Sequence, residues 1–240
     1  MTTRSFHPLF FALALAVGAR HACGQATSVR YTVWVDSAEL SGITVEMRII
    51  GAPSDFRVAM VAHTEYDDRY WRYLTDLRAE SLRGAVQVTR EDSSLWRISG
   101  PAGDVALRYR VRFPVAQPMQ QAAWQAHLTQ TGGLVGGPHS FLYVVGGEQL
   151  GADVTVMVPR GWSVVTGLDS VGHHTYHASG TEALVDSPIL VGLVRRWRFD
   201  VNGVPHHIAY LGRPAGVPFD TALFIGTVER IARESVRLFG

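Results

Sequence analysis

Hydrophobic and polar residues alternate with a period of two through most of this chain. Tyr31, Val33 and Val35 alternate with Thr32 and Trp34. Ile43, Val45, Met47 and Ile49 alternate with Thr44, Glu46 and Arg48, and Val105, Leu107, Tyr109, Val111 and Phe113 alternate with Ala106, Arg108, Arg110 and Arg112. Successive strand side chains point to opposite faces, so each segment buries one face and solvates the other. That pattern belongs to antiparallel sheets that helices cover only sparsely. Further short strands are predicted at residues 56–62, 85–89, 141–145, 154–158 and 189–201, with Pro and Gly clusters between them. The fold class predicted is mainly β: an antiparallel β-sandwich or saddle-like domain, followed by a C-terminal amphipathic helix.

The clearest turn is Asn202-Gly203. Both residues accept the positive φ that a type I′ hairpin requires at its two central positions. Pro205 removes a ladder donor, so the return strand is expected to start irregularly or to lie at an edge. Two segments break the β pattern. Across residues 67–82, Tyr70, Tyr73, Leu74 and Leu77 fall near helical spacing, which predicts a short helix inside a connection. Across residues 220–239 the helical pattern is stronger, with Asp220 placed to cap it after Pro218. Phe224, Val228, Ile231, Ala232 and Phe239 are predicted to share its apolar face. The pairs Glu229–Arg233 and Arg230–Glu234 are predicted to add about 0.2–0.5 kcal/mol each.

Composition sets the outer limits. The chain has 240 residues, 47% hydrophobic and 18% charged, with a formal net charge of +1. It is long enough for one large all-β domain or two small ones. The near-neutral charge argues against nucleic acid as a partner, and arginines on alternating positions read as a solvated strand face. The first residues read as an export signal: Arg4 supplies the positive region, and residues 8–18 form an apolar run too short to span a bilayer. Gly24 and Ala26 fit a cleavage after Ala26, so residues 1–26 are assigned to the signal and the mature chain starts at Thr27. An exported protein, periplasmic or extracellular, is expected, with no transmembrane segment. Cys23, the only cysteine, lies in the removed part, which leaves no disulfide. A lipoprotein signal at Cys23 is the alternative, opposed by Arg20 and His21 just before it.

Candidate chemistry is sparse. His173 and His177 have the i, i+4 spacing of a helical zinc pair, but His174 stands where the motif's Glu would act as general base. The flanking Gly172, Ser179 and Gly180 favour a solvated hairpin over a metal site. His206 and His207 are adjacent, so on a strand they face opposite sides. His63, Glu65, Asp67 and Asp68 form a polar cluster that fits a hydrogen-bonded turn better than an ion site. No G-x-S-x-G elbow is present. Gly132, Gly133, Gly136 and Gly137 lack the lysine and following helix of a phosphate loop, and read as a flexible connection between sheets. No catalytic, cofactor-binding or metal residue is assigned.

From Val158 onward the chain resembles the N-terminal domain of the glycyl aminopeptidase family of zinc metallopeptidases, the sixty-first metallopeptidase family. The segment from Pro159 to Leu168 (PRGWSVVTGL) resembles the family's strand into the second half of that domain. Leu184-Val185-Asp186-Ser187-Pro188-Ile189 resembles its L-x-D-x-P turn, Val201 to Gly212 its closing hairpin, and Arg230 to Gly240 the helix before the catalytic core. The likeness reaches back more loosely to Val29. Where relatives often carry W-x-P-G, this chain has His63 to Trp71 (HTEYDDRYW).

The resemblance implies a β-rich domain over residues 27–212, with residues 213–240 as a linker and the first helix of a catalytic domain. That thermolysin-like zinc domain, often followed by a PDZ-like one, would carry the H-E-x-x-H motif and the zinc, neither of which lies within these 240 residues. The chain is therefore expected to be a non-catalytic fragment of an exported metallo-aminopeptidase, inactive alone, with its own catalytic domain and a peptide substrate as partners. Family members remove N-terminal residues, with a preference for glycine. Asp186, Ser187 and Pro188 are the candidates for a substrate-contacting or interdomain turn. A stand-alone β-sandwich binding or adhesion module is the alternative.

Overall fold

A computed structural model describes residues 26–61, 69–113, 126–212 and 220–239. Its core is a seven-stranded sheet built from β1 (Ser28–Trp34), β2 (Gly42–Ala52), β4 (Leu74–Glu80), β7 (Gly103–Arg112), β11 (Ala152–Met157), β13 (Asp169–Gly172) and β14 (Thr175–Ala178). The strand order is β13-β14-β11-β1-β2-β7-β4, and β1–β11 is its one parallel pairing. Two four-stranded sheets accompany it. One is β10-β3-β6-β5, with β3 at Asp55–Met60, β5 at Gln87–Arg90, β6 at Leu95–Ser99 and β10 at Leu142–Val144. The other is β12-β15-β9-β8, with β8 at His127–Thr129, β9 at Gly132–Leu134, β12 at Ser163–Thr166 and β15 at Ile189–Gly192.

The alternation read from the sequence is what joins them. Tyr31, Val33, Val45, Met47, Leu107 and Tyr109 sit on one face of the large sheet and are buried with Val58, Trp96 and Ile98 of the first small sheet and Val164, Ile189 and Val191 of the second. One continuous core between stacked sheets is the arrangement of a sandwich.

Hydroxyl groups pin the layers together. β10 is an edge strand, so its backbone needs partners beyond β3. Leu142 N–H donates to the Tyr109 hydroxyl at 3.1 Å, and the Leu142 carbonyl accepts from the Tyr31 hydroxyl at 2.7 Å. The Tyr109 hydroxyl donates in turn to the Ser140 carbonyl at 3.0 Å, and the Ser140 Oγ donates to the Val135 carbonyl at 2.6 Å. Burial pushes both tyrosine pKa values up, so the hydroxyls stay protonated donors.

Several expectations need correction. Residues 70–80 are not a helix: a single 3₁₀ turn at Tyr70–Tyr73 leads directly into β4, which pairs with β7. The register shifts between Thr75 and Arg78, and Asp76 has φ 58°. This bulge puts Leu74 and Leu77 on the same core-facing side three residues apart, which imitates a helical repeat. The glycine-rich segment is not a flexible connection either. A Cβ on Gly133 would collide with the His127 carbonyl, and one on Gly136 with the Ile189 side chain, so the glycines permit close packing of β8, β9 and β15.

The strand expected at residues 189–201 is two strands. β15 ends at Gly192, and among the described residues β16 (Arg195–Val201) pairs only with β17 (Val204–Tyr210), as a separate hairpin. Its turn is the one expected, with Asn202 at φ 53° and Gly203 at φ 81°. The Asp200 carboxylate accepts from Gly203 N–H at 2.8 Å, and Pro205 sits in a strand that pairs on one side among the described residues.

The C-terminal helix, α2, spans Thr221–Phe239, and the Asp220 carboxylate caps it by accepting from Leu223 N–H at 2.9 Å. It lies against β16, where Arg233 donates to the Asp200 carbonyl at 3.0 Å. None of its described side chains is fully buried. Phe224, Val228 and Ala232 are half-buried as the pattern implied, joined by Ile225 and Val236. Ile231 and Phe239 are instead exposed, at 60% and 88%. The Glu229–Arg233 pair forms at 2.6 Å, whereas Glu234 pairs with Arg237 rather than Arg230.

Candidate functional site

The segment containing Asp186, Ser187 and Pro188 is built differently from a tight turn. A six-residue helix, α1 (Thr181–Asp186), buries Leu184 and Val185 and ends where Pro188 forces Ser187 into extended geometry, φ −97° and ψ 103°. Its first residue is held by Thr181 N–H donating to the Glu148 carbonyl at 2.8 Å. Asp186 and Pro188 are exposed and Ser187 is half-buried. The Asp186 carboxylate makes no hydrogen bond among the described residues, so it caps nothing and is available at the surface. It also sits at the negative end of a helix, where an anion is unfavourable. Asp186→Asn is therefore expected to leave folding stability within about 0.5 kcal/mol of the parent or slightly above it, as measured by urea unfolding.

The histidine cluster lies on a β-hairpin. β13 and β14 are joined by a turn in which His174 has φ 48° and the rings of His173 and His174 stack at 4.1 Å. Burial, His173 and Arg196 together lower the His174 pKa. His177 leaves this pair on β14 and bonds Asp153 through Nδ1 at 2.8 Å. Among the described residues no group of three or more His, Cys, Asp or Glu side chains converges as a metal site would require. His206 and His207 point to opposite sides of β17, and His206 stacks on Phe199 at 5.1 Å. His63, Glu65, Asp67 and Asp68, together with Cys23 and all of the expected signal but Ala26, lie outside the described residues.

One polar group escaped sequence reasoning. His139 is only 7% exposed, its Nε2 has no hydrogen-bond partner among the described residues, and its ring lies 5.5 Å from that of Tyr70. Burial alone drives its pKa down to about 4, so it is neutral at physiological pH. No carboxylate or nucleophile is described in contact with it. Its one sequence signal was a lone histidine between the glycine pairs and the apolar run after Ser140.

The described surface thus carries no nucleophile–base pair and no ligand cluster, and what it offers is shape and charge. The model of the Peptidase M61 N-terminal domain matches residues 30–193. No curated protein matches the chain. Among solved structures, an aminopeptidase N family protein from Idiomarina loihiensis is 20% identical with a TM-score of 0.75, over 88% of this chain and 36% of that one. An M1 zinc metallopeptidase from Deinococcus radiodurans is 14% identical with a TM-score of 0.46, over 88% of this chain and 53% of that one. The chain therefore spans about a third of the first neighbour's length and about half of the second's.

Proposed function

Because this chain belongs to the Peptidase M61 N-terminal domain family, we propose that it is the non-catalytic β-domain of an exported zinc metallo-aminopeptidase, shaping access to an active site on a separate catalytic domain. The family match over residues 30–193 carries this reading. The mainly β architecture, in a fold shared with the aminopeptidase N family protein, supports it. On this reading the zinc, the general base and any PDZ-like domain belong to other parts of the enzyme. The segment of Asp186, Ser187 and Pro188 would then lie at the rim between domains, and peptides with a small N-terminal residue would be the substrates.

The test joins the 240-residue chain with a purified catalytic domain of an M61 peptidase. The chain alone is expected to hydrolyse no glycyl peptide, and its addition to lower KM or change the length preference of the catalytic domain. Peptide hydrolysis by the chain itself, with one zinc bound per chain, would overturn the proposal. So would a catalytic domain indifferent to its presence.

A second reading, a free-standing binding module, has one observation in its favour. The α2 helix is anchored to this chain's own hairpin through Arg233 and Asp200, as a self-sufficient domain would require. Failure to associate with the catalytic domain would favour that reading.

A further inference from the structure

The ladder between β11 and β14 stops where the histidine hairpin turns back. Its last bond has Val156 N–H donating to the His174 carbonyl at 2.9 Å. Backbone groups on one edge of a strand recur every second residue, so Val158, just after β11, presents the next N–H and C=O to that side. Neither is hydrogen-bonded among the described residues. A short stretch of open edge is left, and it borders a cleft of about 400 Å³. That volume falls in the range of small-ligand sites.

The cleft has an apolar wall of Met157, Pro159 and Trp162 and a polar rim of Arg160, His173 and His174. No carboxylate lines it, and Arg160 makes no hydrogen bond or ion pair among the described residues. Of the neighbouring acids, Asp153 bonds His177 at 2.8 Å, Asp169 pairs in register with His177 rather than with the turn, and Asp36 accepts Ala38 N–H at 2.9 Å. Arg196 of β16 stands behind the turn, donating to the Val164 carbonyl at 2.6 Å. Burial, then His173 and Arg196, lower the His174 pKa, and no carboxylate offsets them. His174 also holds φ 48°, a conformation that glycine would take without cost. Folding alone gives no reason for a histidine there, and strain of this kind gathers at working sites.

We infer that this cleft captures the C-terminal end of a peptide whose last side chain is apolar. The peptide backbone extends the ladder at Val158, its carboxylate meets the guanidinium fork of Arg160, and its last side chain rests on Met157 and Trp162. A peptide end carries free backbone groups, a carboxylate and a side chain on one residue, which matches three features that lie side by side here. A free phosphate would use only the polar rim.

The test is fluorescence anisotropy of the full chain with an N-terminally labelled tetrapeptide, three alanines followed by leucine, made as the free acid and as the amide. The parent is expected to bind the acid about tenfold more tightly than the amide, the scale of one charge-assisted pair. Arg160→Gln should weaken binding of the acid about tenfold and leave the amide unchanged. Met157→Ala should weaken both by about threefold. Arg198→Gln, on β16 and outside the cleft, should bind as the parent does. All three replaced side chains are exposed, so melting temperatures should match the parent's. Equal affinity for acid and amide, no loss in Arg160→Gln, equal loss in Arg198→Gln, or no binding by the parent at millimolar peptide would overturn the proposal. Tighter binding of inorganic phosphate than of the peptide acid would also overturn it and make a phosphate group the ligand. Binding is read on the chain alone, so its failure is a separate result from a catalytic domain's indifference to the chain.

Discussion

Tyr109→Phe is expected to cost about 2–4 kcal/mol of folding stability, more than any surface substitution in this chain. The change removes one oxygen but strands two buried groups. Leu142 N–H loses its acceptor and the Ser140 carbonyl loses its donor. Each buried polar group left without a partner costs about 1–3 kcal/mol. Tyr31→Phe strands one group, the Leu142 carbonyl, and should cost about half as much. Both tyrosines act on Leu142, so the double variant should depart from additivity by about 0.5 kcal/mol or more. Urea unfolding checks this, the midpoint falling while the slope stays constant. A cost below about 0.5 kcal/mol for Tyr109→Phe would mean that water replaces the hydroxyl and the edge of β10 is not sealed.

Acid should weaken the fold through His139 well before most carboxylates titrate. In the folded chain burial lowers its pKa to about 4, while the unfolded chain titrates near the ordinary 6.5. Between these values the unfolded state binds the proton more readily, so stability falls as pH drops below about 6.5 and stops falling, for this group, near pH 4. A shift of that size corresponds to about 3 kcal/mol. His139→Leu removes the titration and the orphaned Nε2 together. The difference in unfolding free energy between parent and variant should move by about 3 kcal/mol in the variant's favour from neutral pH to about pH 4. Taking the difference cancels the contributions of Glu39 and Asp55, whose carboxyl pKa values are lowered by Ser41 and by Arg97 respectively. A constant difference across that window would show that the imidazole reaches solvent or a partner when protonated.

What could be read from the sequence depended on whether a residue's role was local. β2 and β7 were legible because each buries one face completely, so their side chains write the period directly. β4 was hidden by its bulge, which spaces Leu74 and Leu77 like helical neighbours. The close packing at Gly133 and Gly136 left no pattern, since a glycine chosen for the space it leaves looks like one chosen for flexibility. The segment at Asp186, Ser187 and Pro188 was read as a turn, and the burial of Leu184 and Val185 that makes the preceding residues helical was not visible in that reading. The cleft beside the histidine turn needed register, because Val156 and His174 meet only once the strands are aligned. His139 needed tertiary context, because its environment comes from residues far away in the chain.

The parallel pairing of β1 with β11 has a consequence for the order of folding. Val29 aligns with Ala152 and Trp34 with Met157, so the strand made first waits for one made more than a hundred residues later. Until then β1 has only β2 beside it, and its other edge stays open on a segment whose inner face carries Val29, Tyr31 and Val33. Long-range pairings of this kind form slowly, and an open apolar edge invites wrong partners. A chain in which β1, β2 and β7 have paired but β11 has not is thus the species most exposed to wrong partners. Burial of the open edge of β1 should therefore track the docking of residues 152–157 rather than the pairing of β1 with β2.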